Sequence, residues 1–182
     1  MNTFIALFRG INVGGNHILP MKELAALMEG LGLSNIRTYI QSGNVVFQSK
    51  AGNINEIAND ISAAIGKSFG FVPQVLILSQ QELGKAIASN PFPEGQSEPK
   101  SLHFLFLESV PGNPDMDKLE TIKMASERFR LVDSVFYLHA PEGIGRSKLA
   151  ANVEKALGVS GTARNWRSVN KIMSMALELR AG

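Results

Sequence analysis

The chain has 182 residues, of which 45% are apolar and 19% charged, and a formal net charge of +2. This is a globular composition that suits one large domain or two small ones, and so small a net charge gives no vote for nucleic acid as a whole-surface partner. With no cysteine in the chain, disulfides, thiolate metal sites and cysteine catalysis are excluded.

The N-terminus reads directly into a strand, without the basic patch, long apolar run and small-residue cleavage site of a leader. No apolar run approaches a membrane span, so a cytoplasmic protein is expected. Thr3–Phe8 is near-continuously apolar, as in a central strand. The loop Arg9-Gly10-Ile11-Asn12-Val13-Gly14-Gly15-Asn16 follows, and Pro20 suits the first turn of a helix. Leu24, Leu27, Met28 and Leu31 recur on one helical face, and Gly32 is its expected stop. Ile36–Ile40 and Val45–Gln48 read as strands joined by Gln41-Ser42-Gly43-Asn44. Asn53 with Glu56 resembles a capping box, and Ile54, Ile57, Ile61 and Ile65 form the buried face of a second helix. Pro73–Leu78 is a fourth strand. Ser79 with Glu82 opens a short helix that ends before Pro91.

That order is the split βαββαβ arrangement of a ferredoxin-like domain, expected over residues 1–90. Residues 91–100 hold Pro91, Pro93, Pro99 and Gly95 and read as a linker. Residues 101–182 repeat the plan less regularly. Leu102–Leu107 is a strand, and Asp115 and Asp117 favour a helix start through its dipole, with Leu119 and Ile122 on the apolar face. Phe129–Val132 and Val135–His139 form a hairpin around Asp133-Ser134. A helix spans Ser147–Leu157 with Gly158 as its stop, and Val159–Arg164 is a poor edge strand. Asn165 caps a last helix whose stripe is Val169, Ile172, Met173, Ala176 and Leu177. The expected fold class is therefore α+β, two ferredoxin-like halves with antiparallel sheets.

In such a sheet the first strand–helix loop and the turn between strands two and three lie at one end. Arg9–Asn16 and Gln41–Asn44 should therefore meet, and neither stretch contains Asp or Glu. Arg9, Asn12, Asn16, His17, Gln41, Ser42 and Asn44, with the amides of Gly14 and Gly15, can donate hydrogen bonds to an anion. They lack the carboxylates that a hard divalent cation or a glycosidase mechanism needs, so no metal is expected. The bland alternative is that these are turn residues whose side chains bond local backbone. A second group is Gly143-Ile144-Gly145-Arg146-Ser147-Lys148 with Thr162-Ala163-Arg164-Asn165-Trp166-Arg167. From Gly143 to Leu177 the one acid is Glu154, so this basic segment could receive phosphate, or it could be a solvated, capped face. Its glycine spacing is neither a Walker A motif nor a dinucleotide fingerprint. Trp166 and the strand residues Phe4, Phe8 and Phe47 read as packing. His17, His103 and His139 share no metal-ligand spacing.

Arg9–Gly15 (RGINVGG), Gln41–Phe47 (QSGNVVF), Gly143–Leu149 (GIGRSKL) and Thr162–Trp166 (TARNW) stand in the order of the family catalogued as domain of unknown function 1697. The chain resembles that family over nearly its whole length. The resemblance implies a two-part α+β protein with ferredoxin-like halves, mainly bacterial and cytoplasmic, and supplies no catalytic residue. The leading functional expectation is a binder of an anionic or phosphorylated ligand: a nucleotide, a phosphometabolite or a nucleic-acid end. Arg9, Arg146, Lys148 and Arg164 would meet the charge. Asn12, Gly14, Gly15, Gln41, Ser42, Asn44, Ser147 and Asn165 would fix orientation. No cofactor or membrane partner is expected. The alternatives are a transferase acting on a phosphate-bearing substrate, and a structural or oligomerisation module.

Overall fold

The computed structural model describes residues 1–50 and 52–181. Two compact units can be distinguished, Met1–Lys85 with Lys171–Gly182, and Ala86–Asn170. The first (unit 1) contains β1 (Asn2–Arg9), α1 (Met21–Gly30), β2 (Ser34–Tyr39), β3 (Asn44–Ser49), α2 (Ile54–Phe69) and β4 (Gln74–Ser79). It also holds most of α3 (Gln80–Ala88). Its sheet has the order β2-β3-β1-β4, with every neighbour antiparallel. The second (unit 2) contains β5 (Leu102–Leu107), α4 (Met116–Ile122), β6 (Arg128–Val132), β7 (Val135–His139), α5 (Lys148–Leu157) and β8 (Gly161–Asn165). Its order is β6-β7-β5-β8, again antiparallel. Both are the ferredoxin-like βαββαβ arrangement. The last helix, α6 (Trp166–Ala181), begins in unit 2 and contributes its residues from Lys171 onward to unit 1.

Short-range hydrogen bonds explain where the helices start and stop. Gly32 at φ +80° ends α1 in a Schellman arrangement: Gly32 N donates to Glu29 O (2.9 Å) and Leu33 N to Met28 O (3.2 Å). The helix therefore stops at Gly30, and Leu31 is exposed rather than on the buried face the spacing suggested. Pro20 is the residue before the first turn, not within it. Asn53 Oδ1 accepts from Asn55 N and Glu56 N at the start of α2. Ser79 and Glu82 form a reciprocal capping box, with Ser79 N to Glu82 Oε2 at 2.7 Å and Glu82 N to Ser79 Oγ at 3.1 Å. Asp115 caps α4 through Lys118 N, Ser147 caps α5 through Ala150 N, and Asn165 caps α6 through Ser168 N.

In unit 1, Phe4, Ala6, Phe8, Val45, Phe47 and Ile77 project from one sheet face onto Leu24, Met28, Ile57, Ile61 and Ile65 of α1 and α2. The alternate residues Ile5, Leu7 and Val46 are equally buried, so the central strands are covered on both faces, as their continuous apolar run requires. The C-terminal part of α6 contributes to this cover, with Gln48 Nε2 donating to Leu179 O (3.2 Å) and Arg37 paired with Glu178 (3.0 Å). The buried stripe of α6 passes through Val169, Ile172, Met175, Ala176 and Leu179, while Leu177 is exposed and Met173 half-buried. In unit 2, Leu107, Phe136 and Leu138 pack on Leu119, Leu149, Val153 and Leu157. On the other face Tyr137 donates to Ala86 O (2.6 Å), and the Phe104 ring lies 5.9 Å from Trp166. Desolvation, followed by the charge of Asp133, pushes the Tyr137 hydroxyl up to about 12. A 3₁₀ turn over Pro93–Ser97 belongs to this unit. Glu94 pairs with Arg128, whose guanidinium sits 5.1 Å from the Phe92 ring centroid.

Candidate functional site

The first loop and the β2–β3 turn meet at one end of unit 1. Leu7 pairs with Asn44 in the sheet, and Phe8 N donates to Gly43 O at 2.9 Å. Gly43 makes this approach possible. Its φ is +82°, and a Cβ there would stand 2.6 Å from Phe8 Cβ and 2.7 Å from Ile11 Cδ1. Asn12 ties the two stretches together. Its Oδ1 accepts from Leu19 N (2.7 Å), and its Nδ2 donates to Leu19 O (2.9 Å) and to Gln41 O (2.8 Å). Asn12 itself has φ +54°, a conformation Asn tolerates better than most side chains. Asn44 is fully buried, and its Nδ2 donates to Tyr39 O (3.0 Å) and Ser42 Oγ (3.1 Å). These two amides are thus engaged in building the end of the sheet, as the bland reading of turn residues describes.

The remaining groups face outward. Val13–Asn16 is a miniature hairpin closed by Asn16 N to Val13 O (3.0 Å), and Gly14 and Gly15, at φ +58° and +77°, match a type I′ turn. The turn's own bond uses neither the Gly14 nor the Gly15 N–H. Arg9, Gly14, Gly15, Asn16, Gln41 and Ser42 are all exposed.

A third stretch, Gly70–Pro73 between α2 and β4, completes this end, since Arg9 pairs with Gln74 in the sheet and the His17 ring stacks 4.6 Å from Phe71. It too is acid-free, and residue spacing alone gave no reason to include it. His17 Nδ1 lies 3.1 Å from Gly10 O, so its ring braces the loop. Ile40 is the other feature the sequence did not flag. It is β-branched yet has φ +50°, a strained conformation that costs on the order of 1–3 kcal/mol, and its side chain remains exposed.

The second predicted group lies at the opposite end of its own unit's sheet, in the β7–α5 connection and at the β8–α6 junction. Gly143 and Arg167 line one cleft of about 400 Å³ with Lys100, and Glu98 and Glu142 share it. The chain segment is basic, but the cleft it helps to form is not acid-free. Arg146 and Lys148 are exposed at the start of α5, where Ser147 is occupied as the cap. Arg164 lies in β8 opposite Phe104, with Nη1 donating to Ala163 O (2.8 Å). Burial pushes its guanidinium down to about 10. Asn165 is spent on capping α6. Among the described residues no group of three or more His, Asp or Glu is placed to hold a metal ion, and no helix is long and apolar enough to cross a membrane.

A family model described as "Protein of unknown function (DUF1697)" matches residues 1–137. Nothing matches among curated proteins. Among solved structures, the conserved bacterial protein SP0830 from Streptococcus pneumoniae is similar. It has a TM-score of 0.71 and 22% sequence identity, over 96% of this chain and 98% of that one. At that identity the likeness establishes the fold.

Proposed function

The chain belongs to the DUF1697 family, whose description carries no activity, and we propose that it binds an anionic group at the loop end of unit 1. The observation that carries this reading is the meeting of two acid-free stretches distant in sequence, through Phe8 N to Gly43 O at 2.9 Å and Asn12 Nδ2 to Gln41 O at 2.8 Å. A frame of backbone bonds and the Asn12 and Asn44 side-chain amides supports the exposed residues Arg9, Gly14, Gly15, Gln41 and Ser42. Arg9 supplies a planar fork for carboxylate or phosphate, and turn amides supply fixed partial charge.

Calorimetry and thermal shift with phosphate, pyrophosphate, citrate and mononucleotides test this directly. We expect saturable binding of at least one of these anions, weakened tenfold or more in Arg9→Ala at unchanged melting temperature. Binding that survives in Arg9→Ala, or its absence across the panel, overturns the reading. The transferase alternative would rely on positioning and electrostatics, and the titratable side chain nearest to this end, His17, is engaged with Phe71 and Gly10 O.

A further inference from the structure

The cleft of about 400 Å³ in unit 2 is lined by two cations, Lys100 and Arg167, and by two carboxylates, Glu98 and Glu142. Three connections build it at one end of the sheet. Residues 98–101 lead into β5, residues 141–143 follow β7, and Arg167 stands in the first turn of α6, just after β8. Local hydrogen bonds fix these walls. Ser101 N and Ser101 Oγ both donate to Glu98 O (2.8 and 2.7 Å), and Ala140 N donates to Ser101 O (2.8 Å). Gly143 N donates to Ala140 O (2.9 Å), and Asn165 caps α6. Ser126 Oγ donates to Glu142 Oε1 at 2.5 Å, which orients that carboxylate. Elsewhere in the same unit opposite charges close up: Arg128 takes Glu94, and Lys123 takes Glu120. Around the cleft they do not. Among the described residues, Lys100 and Arg167 form no ion pair with Glu98 or Glu142, although all four exposed side chains line one space.

We propose that this cleft binds a small zwitterion whose ammonium and acidic group, a carboxylate or a phosphate, stand several bonds apart. Charge selects this class. A simple anion meets Glu98 and Glu142 as well as the cations, and a simple cation meets Lys100 and Arg167 as well as the acids. A molecule with both signs satisfies all four. The opposite charges of the cleft stand too far apart to pair, so a ligand bridging them keeps its own charges apart, which favours a dipeptide or an aminoalkyl phosphate over a free amino acid. Arg167 supplies a planar fork for the acidic end. The volume lies near the lower end of the range for small-molecule sites, about 300–1,000 Å³. This cleft belongs to a different unit from the anion site proposed above and does not depend on it.

The test is an NMR titration of the full chain with alanyl-alanine and with phosphoethanolamine. Controls lacking one charge are N-acetyl-alanyl-alanine, alanyl-alanine amide, inorganic phosphate and ethanolamine. Saturable shifts are expected at the amides of residues 98–101 and 142–143 for at least one zwitterion, with affinity about tenfold lower for its singly charged controls. Saturation by alanyl-alanine assigns a peptide, and saturation by phosphoethanolamine a phosphate ester. Glu142→Gln should remove the advantage conferred by the ammonium, and Arg167→Gln that conferred by the acidic group. Both variants should keep the melting temperature, because the two side chains are exposed. Lys67→Gln, an exposed cation on α2 of unit 1, should change nothing. The proposal is overturned if neither zwitterion saturates, if the singly charged controls bind as well, if the shifts map away from the cleft, or if Glu142→Gln and Arg167→Gln keep the original preferences.

Discussion

The β1–α1 and β2–β3 connections of unit 1 occupy the same place in the repeated topology as the β5–α4 and β6–β7 connections of unit 2. The closing bond is the same in both, Phe8 N to Gly43 O at 2.9 Å and Leu107 N to Ser134 O at 2.8 Å. The first pair of connections has no acid, whereas the second carries Glu108, Asp115 and Asp133. The fold therefore tolerates carboxylates at this position, and their absence from unit 1 is not a requirement of folding. The way the two ends are closed also differs. Unit 1 crowds a glycine at φ +82° against Phe8 and Ile11 and adds the Asn12 clamp, whereas unit 2 closes with a short turn led by Asp133 at φ +51°. The end with the more elaborate frame is the one proposed to bind.

The sharpest way to break this comparison is at the paired closing positions. Gly43→Val should cost about 3 kcal/mol or more, because its side chain has nowhere to go and its φ is unfavourable. Ser134→Val, at the equivalent place without positive φ, should cost about 1 kcal/mol or less. Chemical denaturation of both variants measures the difference, and equal losses would mean the two closures are equivalent. Next in size, Asn12→Ala removes three hydrogen bonds and should lose about 2–3 kcal/mol, against about 1 kcal/mol for Asp133→Ala, which puts a residue less tolerant of positive φ into the turn. A smaller effect tests where the halves should agree. Asn53 and Ser147 cap equivalent helices, so Asn53→Ala and Ser147→Ala should each cost about 1 kcal/mol in the same assay.

The smallest expected effect separates the units by pH. Desolvation lowers the pKa of His103, partly offset by its bond to Lys100 O. Desolvation and then Arg128 lower that of His139, against a pull upward from Glu98. With folded values below the unfolded 6.5, these histidines bind fewer protons in the native state. Their contribution is complete above pH 6.5 and is lost as pH falls through that value toward the folded ones. Hydrogen exchange should show unit 2 amides losing protection between pH 7 and 5, and the double variant His103→Gln/His139→Gln should reduce that loss. An unchanged loss would assign the pH response elsewhere.

Much of the architecture was legible in the sequence because it depends on bonds within a few residues. The Asn53 and Ser79 caps, the Gly32 and Gly158 stops and the 3.6- and 2-residue apolar periods each follow from local backbone needs. The meeting of Arg9–Asn16 with Gln41–Asn44 was also legible, since strand direction in an antiparallel sheet leaves no other end for them. What the side chains do at that end was not. Asn12 and Asn44 serve the frame, Ile40 takes a strained φ, and Gly70–Pro73 joins through a ring stack that no spacing announces.

Only the tertiary structure decided that Arg164 is desolvated beside Phe104, and that Glu98 and Glu142 share the cleft of the basic segment. It also decided that α6 buries Met175 and Leu179 rather than Leu177, and that its residues from Lys171 onward belong with unit 1. Each of these depends on residues distant in the chain and on which surface a segment covers. By itself the sequence determined the elements, their ends and the antiparallel plan, because hydrogen bonding and hydrophobic period act locally. Packing determined which polar groups are consumed and which face water, because burial belongs to the assembled unit.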